Sequence, residues 1–133
     1  MTICLLVTII SKNLKINLNI FEACKEFKKV KIINLGSSCI YPLNAKNPIK
    51  EEYIFEGKLE PTNSPYAMAK LLAIELGSAI AIEFGHQVIN LMPTNLYGPN
   101  DYFDSKYSHV IPGMINRMNQ AKSNNDKKFE VWG

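Results

Sequence analysis

The strongest constraint on this chain is a change of hydrophobic period, made twice. Val30-Lys-Ile-Ile-Asn-Leu35 is a short β-branched run that stops at Gly36, and Gln87-Val-Ile-Asn-Leu-Met92 is a second such run. Between them, Pro65 opens a long helical stretch that continues to Phe84 and meets Gly85. Proline suits the opening of a helix because the first N–H groups have no intrahelical acceptor, and glycine suits the residue just past the end. Upstream, Ile16, Ile20, Cys24 and Phe27 recur at spacings of three and four, which predicts one face of a helix ending near Lys28-Lys29. Downstream, Val110 to Lys122 reads as a helix with Pro112 and Gly113 in its first turn, and Phe129-Glu-Val-Trp132 reads as the start of a third strand. Helix and strand alternate throughout. That order predicts an α/β fold, a doubly wound parallel sheet with helices on both faces. Such sheets bind ligands at the carboxyl ends of their strands, so chemistry is expected in 36–42, in 93–109 and just after Trp132.

Composition narrows the function classes. In 133 residues, 47% are apolar and 20% charged, close to the globular average, which argues against long disorder, collagen and coiled coil. A formal net charge of +3 is too weak to indicate a nucleic-acid partner. Lys25, Lys28, Lys29 and Lys31 read as the exposed side and C-terminal end of a helix, where cations suit the dipole. Cys4, Cys24 and Cys39 are irregularly spaced and form no CxxC, so neither a disulfide framework nor a metal site is expected. Reduced thiols point to the cytoplasm. The apolar start, Met1 to Ile10, falls short of the about 20 residues that span a bilayer. It also lacks the basic region and cleavage site of a signal peptide. No membrane role is expected, and this segment reads as a buried strand or a truncated start.

A Tyr-x-x-x-Lys pair on a helix puts both side chains on one face, one turn apart. An ammonium beside a phenol favours the phenolate, so the pair can give or take a proton at a carbonyl or carbinol. The pattern occurs twice, at Tyr66/Lys70 and at Tyr102/Lys106. The second lies in a stretch rich in Pro, Gly, Asn and Asp, where a spacing of four guarantees no shared face. The first lies in the opening turns of the long helix and is the candidate. Ser37, one residue past a strand end and behind Gly36, can hydrogen-bond the same substrate oxygen. Read alone, each of these residues also has an ordinary structural use, Tyr66 and Lys70 as a surface pair and Ser37 in a strand-end turn.

Four strings carry a family resemblance. Leu35-Gly-Ser-Ser-Cys-Ile-Tyr-Pro42, Glu60-Pro-Thr-Asn-Ser-Pro-Tyr-Ala-Met-Ala-Lys70, Met92-Pro-Thr-Asn-Leu-Tyr-Gly-Pro99 and Ser108-His-Val-Ile-Pro112 resemble the GDP-L-fucose synthases. These belong to the extended short-chain dehydrogenase/reductases, within the NAD-dependent epimerase/dehydratase superfamily. The resemblance covers about residues 15 to 133. It implies a partial Rossmann-like sheet and an NADPH-dependent enzyme acting on GDP-4-keto-6-deoxy-D-mannose. Carbons 3 and 5 of that GDP-sugar are epimerised and its 4-keto group is reduced.

By the same resemblance, Ser37, Tyr66 and Lys70 serve the hydride step, and Cys39 and His109 are the acid/base pair of epimerisation. A thiol and an imidazole, with ordinary pKa values of about 8.5 and 6.5, suit proton transfer at a carbon acidified by a neighbouring ketone. Leu35, Gly36, Ser37, Ser38, Lys70, Pro93, Thr94, Asn95, Leu96 and His109 line NADP(H), and Arg117 and Trp132 contact the GDP-sugar. From the residues alone, Cys39 reads equally as a small buried side chain, His109 as a cap, Arg117 as a solvated helix residue and Trp132 as core. His86 matches nothing in the family and reads as structural.

No G-x-x-G-x-x-G or G-x-G-x-x-G turn occurs in the chain. The expected organisation of 1–133 is therefore the central part of an NADP-binding Rossmann-like domain with an uncertain start over 1–14. The first glycine-rich unit and the C-terminal substrate domain are then absent, and the chain alone is expected to be inactive. Two other readings stay open: a non-catalytic remnant that binds a partner chain, and a related sugar-nucleotide epimerase or dehydratase. The stripe Ala69, Leu72, Ala73, Leu76, Ile80 and Phe84 serves either packing on the sheet or, by resemblance, a homodimer through the helix Pro65 to Phe84.

Overall fold

Two parallel strands joined by a helical crossover form the centre of the computed structural model, which describes residues 3–104 and 107–131, with side chains of the first helix from residue 6 onward. The order is α1 (Ile3–Lys25), β1 (Ile32–Leu35), α2 (Ser64–Phe84), β2 (Val88–Leu91) and α3 (Val110–Asn124), with 3-10 turns at Ser38–Ile40 and Glu51–Tyr53. Ile32 pairs with Val88 and Leu35 with Leu91. The chain divides into two units, Met1–Thr94 and Asn95–Gly133. The parallel α/β expectation holds.

In the first unit, side chains alternate across the sheet as strands require. Ile32 and Val88 turn toward the helices, and Asn34 donates to Asn90 across the ladder at 2.8 Å. Ile33, Leu35, Ile89 and Leu91 turn to the opposite face and are exposed. Helix α2 starts at Ser64, with Pro65 in its first turn, and ends on Gly85 at φ 73, a left-handed conformation that glycine adopts without Cβ strain. His86 follows, buried, with Nδ1 3.3 Å from the Val30 carbonyl. That contact ties the start of β2 to the start of β1 and fits its structural reading.

Three expectations are corrected here. The apolar start is no strand, because residues from Ile3 onward belong to the single helix α1. The face of that helix also differs from the expected one. Ile16, Ile20 and Phe27 are exposed, while Asn13, Asn17, Phe21 and Cys24 turn inward. Asn17 donates to the Ala69 carbonyl at 3.4 Å, so a polar residue sits at the helix–helix contact and breaks the apolar period. Of the stripe on α2, Ala69, Ala73 and Ile80 are buried, Leu76 packs on the core, and Leu72 and Phe84 are exposed. Finally, Phe129–Val131 forms no strand, and the only ladder among the described residues joins β1 to β2. Extended residues need a partner ladder to become a strand. The basic run reads as expected: Lys25 closes α1, pairs with Glu22 at 2.7 Å and lies 5.4 Å from the Phe84 ring centre.

The core gathers Phe21, Ile32, Ala73 and Ile80. Small residues on α2 admit the large one on α1: a Cβ at Gly77 would lie 3.5 Å from the Phe21 ring and 3.0 Å from Val88. Phe21 is 2% exposed, so Phe21→Ala is expected to cost about 3–5 kcal/mol, against about 5–15 for a whole domain. Ile20→Ala, on the exposed side, should stay within about 0.5 kcal/mol. Urea midpoints of the two variants check this, and a larger loss for Ile20→Ala would contradict the placement of α1.

Candidate functional site

The carboxyl end of β1 runs directly into the candidate residues. Gly36 is buried, its N–H donating to the Leu91 carbonyl at 2.8 Å, and a Cβ there would collide with the Met92 thioether. This close approach of the two strand ends is the reason a glycine stands at that turn. Ser37 then begins a 3-10 turn, Ser38–Ile40, whose Ile40 is fully buried and anchors the loop. The Ser37 hydroxyl accepts the Cys39 N–H at 3.3 Å. Its own proton remains to be donated, since a hydroxyl is one donor and two acceptors.

Helix α2 packs its opening turns against this 3-10 turn. Lys70 Nζ donates to the Leu35 carbonyl at 2.8 Å and lies 5.6 Å from the Tyr66 ring centre. Tyr66 and Lys70 therefore share a face at the strand end, as the spacing predicted. Burial pushes the Lys70 ammonium below the usual lysine range, because desolvation disfavours the charged form. Cys39 Sγ accepts a hydrogen bond from Asn63 Nδ2 at 3.0 Å. Sequence reasoning passed over Asn63. Its signal was present, since it immediately precedes the helix, but that position normally means a cap and nothing more. The Glu60 carboxyl is held below the usual range by the Thr62 hydroxyl at 2.6 Å and the Thr62 N–H at 3.1 Å.

The first unit thus brings together Leu35, Gly36, Ser37, Ser38, Cys39, Tyr66 and Lys70, with Pro93 and Thr94 following β2. The second unit holds Asn95, Leu96, His109 and Arg117. There, Asn95, Leu96 and Tyr97 line a hollow of ≈ 30 Å³ with His109 and the first residues of α3. His109 precedes α3 without capping it through its side chain, and its carbonyl accepts the Gly113 N–H at 3.0 Å. Arg117 is half-buried on α3, with Nη1 3.7 Å from where a Gly113 Cβ would stand. Trp132 lies outside the described residues, as does Lys106. Tyr102 belongs to no regular element, so the second Tyr-x-x-x-Lys spacing is not carried on a helix.

In the parallel pair, a Ser, Tyr and Lys at one strand end can polarise a carbonyl and move a proton to its oxygen. A thiol with a donor aimed at its sulfur stands on the next turn.

Comparison with known proteins gives a consistent result. The model of the NAD dependent epimerase/dehydratase family matches residues 6–133. The chain is similar to the probable GDP-L-fucose synthase 1 of Oryza sativa subsp. japonica, 46% identical over 125 residues, covering 93% of this chain and 38% of that protein. It is similar to the GDP-L-fucose synthase of Escherichia coli (strain K12), 44% identical over 124 residues, covering 93% and 39%. Among solved structures, a GDP-L-fucose synthetase from Naegleria fowleri bound to NADP superposes with a TM-score of 0.85. That match has 33% identity and covers 96% of this chain and 42% of the other. The chain spans about two fifths of the length of the curated relatives it matches.

Proposed function

The chain belongs to the NAD dependent epimerase/dehydratase family, and from that premise we propose that it carries the catalytic residues of a GDP-L-fucose synthase. The reaction is 3,5-epimerisation and NADPH-dependent 4-reduction of GDP-4-keto-6-deoxy-D-mannose. The observation that carries this reading is the strand-end cluster: Ser37, Tyr66 and Lys70 gathered on one end of β1 and α2, with Cys39 on the adjoining turn.

The residues present fit a dinucleotide. A half-buried ammonium at the strand end suits ribose hydroxyls, and Gly36 adds no side chain of its own where the two strand ends approach each other. Leu35 to Ser38, Lys70, Pro93 to Leu96 and His109 would hold NADP(H), which when bound supplies the hydride. The rest is done by the chain's own groups. Ser37 donates its free O–H to the 4-keto oxygen, and Tyr66 gives its phenolic proton to that oxygen as it gains charge. Lys70 stabilises the phenolate that remains. Before reduction, one of Cys39 and His109 removes the proton from the carbon beside the ketone, and the other returns a proton on the opposite face. Arg117 and Trp132 bind the GDP portion, a guanidinium matching the diphosphate.

We also propose the finer points of setting. Free Cys24 and Cys39 and the NADPH chemistry suit the cytoplasm. No helix among the described residues is long and apolar enough to cross a membrane. A homodimer would form through the helix Pro65 to Phe84, where Leu72 and Ile82 are exposed.

A graft tests the reading. Residues 6–133 replace the matching segment of the Escherichia coli relative, and the folded product is given the keto-sugar, NADPH and deuterated water. The expected result is NADPH oxidation that depends on the keto-sugar, with deuterium entering beside the ketone. A folded graft that does neither, beside an active parent, overturns the proposal.

A further inference from the structure

Asn63 is the residue before α2, yet its side chain does not cap the helix. Asparagine at that position ordinarily turns its side-chain oxygen onto the free N–H groups of the first turn. Here the backbone is engaged without the side chain: Asn63 N–H donates to the Glu60 carbonyl at 3.2 Å, and its carbonyl accepts Ala67 N–H at 3.0 Å. The amide instead reaches across 24 positions of sequence and donates to Cys39 Sγ at 3.0 Å. The backbone of Cys39 is held as well, its N–H donating to Ser37 Oγ at 3.3 Å. The neighbouring charges are committed elsewhere, Lys70 to the Leu35 carbonyl and the Tyr66 ring, and Glu60 to Thr62.

A thiol sulfur is a weak acceptor, whereas hydrogen bonds to an ionised acceptor are roughly twice as strong as neutral ones. A donor fixed at Sγ therefore favours the state in which the thiol has released its proton. The geometry points to Asn63 as the positioning residue of Cys39, holding the sulfur toward its task and stabilising the thiolate formed during epimerisation. This rests on Cys39 being one of the two epimerisation groups. In the protonating direction, the S–H bond breaks, the enolate electron pair forms the new C–H bond, and the pair left on sulfur meets the Asn63 N–H. In the opposite direction, the same thiolate is the base.

Iodoacetamide alkylation of the full chain tests this without substrate, with Cys39 and Cys24 followed separately by peptide mass spectrometry. Asn63→Asp keeps the side-chain shape, removes the donor and adds a negative charge that itself disfavours the thiolate, whereas Asn63→Ala removes shape and donor without adding charge. The expected result in both variants is roughly tenfold slower alkylation of Cys39 at neutral pH, as loss of a hydrogen bond to a charged group implies. The Cys24 rate should be unchanged, and the Cys39 rates should converge with the parent's at alkaline pH, where every thiol is ionised. Equal Cys39 rates in the parent and Asn63→Asp overturn the proposal. A change shared by Cys24 and Cys39 in Asn63→Asp assigns Asn63 to structure alone and overturns it equally. Should Asn63→Ala unfold, both cysteines become fast together and Asn63→Leu, which keeps the side-chain size without donor or charge, decides. Failure of the functional reading shows elsewhere, as absent deuterium uptake in the graft, and leaves these rates untouched.

Discussion

Tyr66→Phe in the graft should lower 4-keto reduction by about 10²–10⁴-fold, the usual worth of a positioned proton donor. The substitution removes one oxygen and keeps the ring, so the contact between that ring and Lys70 Nζ, 5.6 Å from its centre, survives. Deuterium uptake beside the ketone should continue, because that step uses other groups. Stopped-flow NADPH oxidation and mass spectrometry of the sugar separate the two. Full reduction by Tyr66→Phe would remove the tyrosine from the mechanism. The neighbouring lysine adds a pH signature. Burial lowers the Lys70 ammonium, so its charge is lost at a lower pH than that of an ordinary lysine. Reduction should accordingly fall on the alkaline side earlier than an ordinary lysine predicts.

Cys39→Ser should suppress deuterium uptake by a comparable factor, about 10²–10⁴-fold. A serine hydroxyl keeps the approximate shape and can still accept from Asn63, but it ionises far outside the neutral range and cannot exchange a proton with carbon at useful rates. Reduction of a supplied, already epimerised ketone should be spared, since Ser37, Tyr66 and Lys70 are untouched. Uptake that persists at the parent's rate in Cys39→Ser would exclude the thiol. Paired with the Asn63 variants, this separates the group that moves the proton from the group that holds it.

Much of the framework was legible because its causes are local. Gly36 ends β1, Pro65 and Gly85 bracket α2, and the β-branched runs make strands, each within a residue or two of the expected bounds. The Tyr66/Lys70 pair followed from helical spacing alone. The orientation of α1 was not legible, because inward-facing Asn13 and Asn17 interrupt the apolar period while Ile16 and Ile20 sit outside. Their placement depends on a neighbour, Ala69 of α2, whose carbonyl Asn17 reaches. The expected strand failed over 129–131 for a related reason, since a strand is defined by its partner.

The sequence by itself determined which residue types stand at the ends of the two strands and which helix carries the phenol and the ammonium. Backbone preference and side-chain period act within a few residues, so the string suffices. Only the tertiary structure decided that Lys70 reaches the Leu35 carbonyl, that Phe21 enters the space left by Gly77, and that Asn63 abandons its cap for the sulfur of Cys39. Each of those contacts joins groups far apart in sequence. Such contacts form only where packing brings the groups within a few ångströms, and no local preference encodes that distance.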